Sequence, residues 1–532
     1  MPSRPVFRRR LLVGAAVVVA AGVSACGTRL HDAAFAPTTV TVSGDASAAA
    51  PGGPAPSASV ATTTAPGAVP PTGGPAAIGG PSIGPGATQG PVTVTSAPGA
   101  LTTSAAGGSQ RPQASKSAGP GGPNTASDRG VTANSITVGN IVTTGGPFGP
   151  DEFSANRWGV AAYFADLNAH GGINGRLVNY VPCADTSGTT DGVSSCVHQL
   201  IDQSKIFAFV GNNVFQYGGA DYVNSTNVPD IGGEQIDPIY FQYPALFTLL
   251  GDSGPRDGKH EGDNGTEYGS DELALWYKQN LGVTKVGIVY YDQKSSQYGA
   301  NQFLQAFTVA GVPAKTYPVN LGLPNFAAAV AQMQNDGVDI VMDALDLNGN
   351  QKLCQAMESD GQFMNEVKAK VSTVSTFTQS VGSAFAGTPK CLSKIYSGGK
   401  SANYADTSNP EVARFRAAMQ QYFPSRAPKI AQWTLEGWAA ADWFTSAAKS
   451  CGANLTRVCV ENWLNTPNQD LTAHGLLSPD ITFAKKTRAQ QTGVGTKCLS
   501  VVQWDTQTGT WATKAAPATA CFQAQGFAYQ LQ

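Results

Sequence analysis

The chain has 532 residues, with 34 Lys and Arg against 36 Asp and Glu, a net charge of −2 and only 13% charged residues. That balance, with no Lys/Arg cluster after the first ten residues, excludes the electrostatic footprint of a nucleic-acid binder. Length alone suggests three or four domains, but the first quarter is too poor in bulky apolar residues to build a core.

Arg8, Arg9 and Arg10 precede an apolar run from Leu11 to Val23, which ends in Val23-Ser24-Ala25-Cys26. A charged start, a short apolar stretch and small residues before a cleavage point are the parts of a secretory signal. The apolar run is shorter than the roughly 20 residues that span a bilayer. The layout resembles a bacterial lipoprotein signal, which implies cleavage between Ala25 and Cys26 and a diacylglycerol on the Cys26 thiol. Residues 1–25 are then a signal peptide, and the mature protein is expected to be exported and lipid-anchored on the extracytoplasmic face of the cell membrane. Arg8-Arg9 before Leu11-Leu12 also resembles a twin-arginine signal, so the export route stays open.

From Gly27 to about Ser127 the sequence is nearly all Ala, Gly, Pro, Ser and Thr, with no charged residue between Asp45 and Arg111. Such a stretch cannot offset its ordering entropy, so residues 26–130 are expected to form a disordered tether. As a flexible coil of about 100 residues it would reach on the order of 50–60 Å.

From Ser135 onward, short β-branched runs alternate with helical patterns, the signature of parallel sheets covered on both faces. Strands are predicted at Ile136–Val142, Leu177–Pro182, Ile206–Val210 and Val228–Ile231, with a helix from about Glu152 to Ala169. The loop Thr143 to Phe148 is too rich in Gly and Pro to continue either element. The rhythm then recurs: strands at Lys285–Tyr291, Lys315–Val319 and Asp339–Met342, helices at Tyr298–Ala310, Phe326–Asn335 and about Asn350–Ser359. Two doubly wound α/β lobes are therefore expected, with a hinged cleft between them where strand ends can line a ligand site. Residues 131–532 make up this part, the first lobe taking about 131–248 and 376–480, the second about 249–375 and 481–532. Further on, Ile430–Ser450 reads as a long helix whose Trp433, Trp438, Trp443 and Phe444 suit core or hinge packing. Leu499 to Trp504 and Thr510-Trp511, joined by a polar turn, read as a hairpin.

With Cys26 set aside, eight cysteines remain, and an even number in an exported chain points to disulfides. About a hundred connectivities are open; nearest neighbours in sequence are favoured, pairing Cys183 with Cys196, Cys354 with Cys391, Cys451 with Cys459 and Cys498 with Cys521. None has CxxC spacing and the chain holds five His, so neither a metal site nor another cofactor is expected.

Asn168-Ala169-His170-Gly171-Gly172-Ile173-Asn174-Gly175-Arg176 resembles the turn after the first helix in the branched-chain amino acid binding family of type I periplasmic solute-binding proteins. Gly171-Gly172 suits a left-handed helix end and Asn174-Gly175 a tight turn into the next strand. The resemblance implies a two-lobe protein, a monomer, that captures a small solute and delivers it to the permease subunits of an ABC-type importer. An amino acid or a related compound is one candidate. Carried over by position, Phe148, Phe215 and Tyr298 would wall the site, and Thr144, Asn213, Gln235, Asp346 and Thr376 would orient polar groups. The chain departs from the family pattern where hydroxyls would hold an α-carboxylate: Phe215 and Gln235 stand there, and a phenyl ring donates nothing.

Other function classes are weaker. Gly251-Asp252-Ser253-Gly254 resembles a serine-protease nucleophile motif, but the surrounding α/β rhythm is wrong for that fold, and no GxSxG elbow or Walker A loop is present. A cell-envelope hydrolase is therefore a remote alternative, and no enzymatic activity is expected. Asp257, Glu261, Asp263 and Glu267 lack calcium-loop spacing and read as a solvated insertion. A ligand-sensing receptor module is the main alternative, since sensors also close two lobes on a solute.

Overall fold

A computed structural model of the chain describes residues 122–146, 150–251, 254, 256 and 266–530. The expectations for the signal, Cys26 and most of the tether fall outside the described residues, as do Phe148, Asp252, Ser253, Asp257, Glu261 and Asp263. Among the described residues no helix is long and apolar enough to cross a membrane.

The first lobe is built on five strands, β1 (Ser135–Thr143), β2 (Leu177–Asp185), β3 (Ala208–Val210), β4 (Asp230–Gly233) and β5 (Leu246–Thr248). They form an all-parallel sheet in the order β2-β1-β3-β4-β5. β1 is buried along most of its length, as expected for a central strand covered on both faces. After a separate strand, β6 (Thr266–Ser270), the second lobe begins with β7 (Val286–Tyr291), β8 (Ala314–Val319), β9 (Ile340–Ala344), β10 (Ala369–Val371) and β11 (Ile395–Gly399). The order β8-β7-β9-β10-β11 repeats the winding of the first lobe. Later come β12 (Val494–Cys498), β13 (Ser500–Asp505), β14 (Thr510–Ala515) and β15 (Cys521–Gln530). The β13/β14 pair is the expected hairpin, added antiparallel beside β11 to make seven strands, while β12-β15-β6 form a small antiparallel sheet.

The segment boundaries differ from expectation at two places. β11 lies in the stretch of about 376–480 expected in the first lobe, but it pairs in parallel with β10 at Lys370↔Ile395 and Val371↔Tyr396, so the chain returns to the first lobe only after Gly399. At the other end, ordered packing begins before Val131. Asn124 Nδ2 donates to Asn174 O at 2.8 Å and Ser127 Oγ to Leu455 O at 2.6 Å, docking the end of the expected tether onto the lobe.

The helices that position the cleft are α1 (Ala155–Ala169), α2 (Thr190–His198), α3 (Lys294–Val309), α4 (Leu347–Ser359), α5 (Pro410–Tyr422), α6 (Gln432–Cys451) and α7 (Arg457–Leu464). The turn after α1 has Gly171 and Gly172 at φ +97° and +74° and Asn174 and Gly175 at +50° and +83°. That turn brings Ile173 and Arg176 into mutual backbone hydrogen bonds of 2.8 and 2.9 Å. α6 is buried nearly all round, with Trp438 and Trp443 at its heart. Their indole N–H groups are satisfied by Glu411 Oε1 of α5 at 2.8 Å and by Leu471 O at 2.9 Å. α1 and α6 cross at Gly159 and Gly437, where a Cβ would lie 1.8 Å from Thr434 O and 2.2 Å from Asn156 O.

All four nearest-neighbour disulfides are present. Cys183–Cys196 ties β2 to α2, Cys354–Cys391 ties α4 to the turn before β11, Cys451–Cys459 joins α6 to α7, and Cys498–Cys521 bridges paired positions of β12 and β15.

Candidate ligand-binding site

The glycine crossing of α1 and α6 sets the site's first wall. It draws together the N-terminal ends of both helices, so that Phe153, just before α1, lies 5.6 Å from Trp433 in the first turn of α6 and 5.9 Å from Phe215, after β3. These three rings form a small buried cluster, separate from the main core. The opposite wall comes from the second lobe: Tyr291 at the end of β7, Ser295 and Tyr298 on α3, Leu345 and Asp346 after β9, and Thr373 and Ser375 after β10. Together they enclose a central cavity of about 170 Å³. Cavities of about 480 and 360 Å³ adjoin it, and Trp433 borders all three.

The lobes touch directly across this cleft. Ser295 Oγ donates to Phe215 O at 3.2 Å, and the Leu347 N–H at the start of α4 donates to Glu152 Oε1 at 3.3 Å. Burial, reinforced by the negative charge of Asp346, pushes the Glu152 carboxyl up to about 8, against the opposing hydrogen bonds from Leu347 and Ser375. Asp346 caps α4: its Oδ1 accepts from the Gly349 N–H at 2.9 Å and from the Tyr291 hydroxyl at 2.6 Å. Burial and the Asp346 carboxylate together hold the Tyr291 hydroxyl protonated, well above the usual range.

Of the residues singled out from sequence, Phe215, Gln235, Tyr298 and Asp346 border the central cavity. Tyr298 is buried at 4% exposure, and its hydroxyl accepts from Gln302 Nε2 at 2.6 Å. Gln235 also borders the 360 Å³ cavity, and among the described residues no donor reaches its buried Oε1.

Thr144, Asn213 and Thr376 border none of the three cavities. The Thr144 hydroxyl donates to Asp185 O at 3.1 Å, fastening the ends of β1 and β2. Asn213 is fully buried behind the cleft, its Nδ2 donating to Asn156 Oδ1 at 2.7 Å, and Asn156 Nδ2 in turn donates to Glu234 Oε1 at 2.8 Å. Thr376 is buried with its hydroxyl on Thr373 O at 3.0 Å, and its neighbour Ser375 reaches the cleft instead.

Sequence reasoning missed Glu152, Phe153 and Trp433. The first two were read as part of α1, whose first turn begins only at Ala155, after the Ser154 cap. Trp433 was read as packing, and the signal that separates it from Trp438 and Trp443 is its place in the first turn of α6. Glu267, assigned to a solvated insertion, is fully buried in β6 and accepts from Gln242 Nε2 at 3.0 Å, because pairing of β6 with β15 draws it inward. Among the described residues no group of His, Cys, Asp and Glu could hold a metal ion.

A model of the periplasmic binding protein family matches residues 135–510. No curated protein sequence matches the chain. Solved structures resemble the fold: a solute-binding protein of an ABC transporter from R. palustris in complex with 4-hydroxybenzoate is 15% identical, with 74% of this chain and 98% of that chain covered and a TM-score of 0.56. A leucine-binding protein, LivK, from Thermotoga maritima is 13% identical, covering 72% and 99%, with a TM-score of 0.54. A fatty acid ABC transporter substrate-binding protein from Thermomonospora curvata is 15% identical, covering 76% and 96%, with a TM-score of 0.54.

Proposed function

The chain belongs to the periplasmic binding protein family, and on that premise we propose that it is the extracytoplasmic solute-binding lipoprotein of an ABC-type importer. The observation that carries this reading is a cleft whose walls come from two lobes of matching winding and whose lobes already hydrogen-bond across it, at Ser295 to Phe215 and Leu347 to Glu152. A solute in the cleft touches both lobes at once, so its binding favours closure. The lipid on Cys26 anchors one end of the chain, the stretch after it serves as a tether, and the closed lobes present the solute to the permease.

Phe153, Phe215, Trp433 and Tyr298 supply an apolar, aromatic wall, while Gln235, Asp346 and Ser375 orient polar groups. This favours a solute with a sizeable apolar or aromatic body. Structural relatives crystallised with 4-hydroxybenzoate or named for fatty acids and leucine agree with such a body. The zwitterion clamp of an amino acid finds little support, since the Thr144 and Thr376 hydroxyls are engaged by main-chain carbonyls and Phe215 has no donor to offer.

The test is a thermal-shift screen of the full chain against aromatic carboxylates, amino acids, fatty acids, aliphatic and aryl amines, and polyols. A ligand that binds only the folded form raises stability by about 2.7 kcal/mol at a hundred times its Kd. At least one of these classes is expected to raise Tm by several degrees, and Trp433→Ala to abolish that shift. A screen in which no solute moves Tm would overturn the reading.

A further inference from the structure

The 360 Å³ cavity beside the β12-β15-β6 sheet differs in chemistry from the central one. Its walls combine apolar residues, Ile236, Phe303, Met342, Trp433 and Phe527 among them, with seven charged ones. Two carboxyls are set into that wall, Glu234 after β4 and Glu436 one turn into α6, only 7% and 5% exposed. β4 packs closely on α6, where a Cβ on Gly232 would lie 2.3 Å from Ala440 Cβ. Asn156 Nδ2 donates to Glu234 Oε1 at 2.8 Å, and Ser401 Oγ donates to Glu436 Oε1. Among the described residues no donor reaches Glu436 Oε2, Gln235 Oε1 or Glu272 Oε2, three acceptors on residues that border the same cavity. Two buried carboxyls bordering one cavity favour either a shared proton or an external cation beside them. Burial raises both of them, and the Glu436 charge raises Glu234 further.

Of the other charged groups at this cavity, Lys400, Lys497, Glu272 and Asp480 pair with one another. Lys400 Nζ is held by Glu272 at 2.8 Å and Asp480 at 3.2 Å, and Lys497 lies 3.7 Å from Asp480. Lys486 also borders the cavity, and Tyr240 is the further titratable neighbour of Glu234. The unmatched demand is therefore for hydrogen-bond donors at the carboxyl pair.

We propose that this cavity receives the cationic end of the solute, a protonated primary amine on an apolar aryl or alkyl body, with its N–H groups donated to Glu436, Glu234 and Gln235. Because Gln235, Ile236 and Trp433 border both cavities, the body extends past Trp433 into the central aromatic compartment. The proposal rests on the solute-binding reading above and names its cargo. On binding, the ammonium replaces the proton shared by the two carboxyls, and that proton leaves to solvent.

The experiment is calorimetric titration of the full chain with 2-phenylethylamine and hexylamine against their uncharged isosteres 2-phenylethanol and 1-hexanol. The alcohols carry whatever protons Glu152 takes up when the lobes close, so the difference between each pair reports on the carboxyl pair. At least one amine is expected to bind about tenfold or more tighter than its alcohol. That preference should grow with pH while the pair still holds its shared proton, and the amine should release more protons than its alcohol in buffers of different ionisation enthalpy. Glu436→Gln and Glu234→Gln should each narrow the gap between the amine and its alcohol. Equal binding of amine and alcohol, a preference that survives both substitutions, or no binding of either amine would overturn the proposal. The wild-type proton release decides the matter even where a substituted chain fails to fold. Binding of a different solute class in the thermal-shift screen, with both amines silent, removes the amine assignment alone. Silence of every solute removes the binding reading with it.

Discussion

At Glu152 a single carboxyl records whether the two lobes are together. Its Oε1 accepts from the Leu347 N–H of the opposite lobe at 3.3 Å, and burial beside Asp346 raises it from 4.5 to about 8. An acid raised in this way binds its proton more tightly in the folded, closed form than in the unfolded chain. Between about pH 4.5 and pH 8 the folded form therefore holds more protons, and stability falls as pH rises through that window. Tm is expected to drop by a few degrees from about pH 5 to pH 8, and Glu152→Gln to flatten that slope. A wild-type slope unchanged by the substitution would show that Glu152 does not titrate with closure. Asp346 shows how a residue can be recognised for its position while its engagement stays hidden. Its place after the β9 pattern was legible, but the hydrogen bond it accepts from Tyr291 comes from a strand 55 residues earlier.

Among the elements, the α1–α6 crossing does most to shape the cleft, and it depends on two glycines far apart in sequence. A Cβ on Gly437 would sit 2.2 Å from Asn156 O, backbone that cannot yield without moving α1. Gly437→Ala is expected to cost about 1–3 kcal/mol, read as a lower urea midpoint at unchanged m-value. It should also weaken solute binding, because it pushes Trp433 away from Phe153. An unchanged midpoint would mean that the helices shift apart freely. The contrast with the turn at Asn174-Gly175 is instructive. There the need for positive φ is local, so the residue types announce it, whereas Gly159 and Gly437 are required by a partner helix that nothing in their own neighbourhoods reveals. The ends of elements were likewise hard to place: Glu152 and Phe153 continue the helical pattern of α1 in sequence but precede its cap.

Across the whole molecule, the disulfides stay within neighbouring elements. The longest closure, Cys354–Cys391 with a sequence separation of 37, fastens α4 to the turn that leads into β11, holding the last parallel strand in the second lobe. Replacing both cysteines by Ser is expected to lower unfolding free energy by about 3–4 kcal/mol, through the greater freedom of the unfolded chain. Denaturant melts of the oxidised chain and the variant would measure this, and equal stability would show that native packing alone sets the position of that strand. β11 also marks where sequence reading misplaced a segment. A short buried strand carries the same pattern in either lobe, and only its pairing with Lys370 and Val371 decides which sheet it joins.

The sequence alone indicated the α/β class and the doubled winding, through local periodicity, and favoured the nearest-neighbour disulfide partners. Phe215, Gln235, Tyr298 and Asp346, which border the central cavity, came from the family resemblance, carried over by position. Only the tertiary structure decided that Thr144, Asn213 and Thr376 face away from the cavities, that Trp433 joins their wall, and that Glu234 and Glu436 meet. Each of those outcomes depends on contacts between elements distant in the chain, where a side chain's direction is set by what packs against it rather than by its neighbours in sequence.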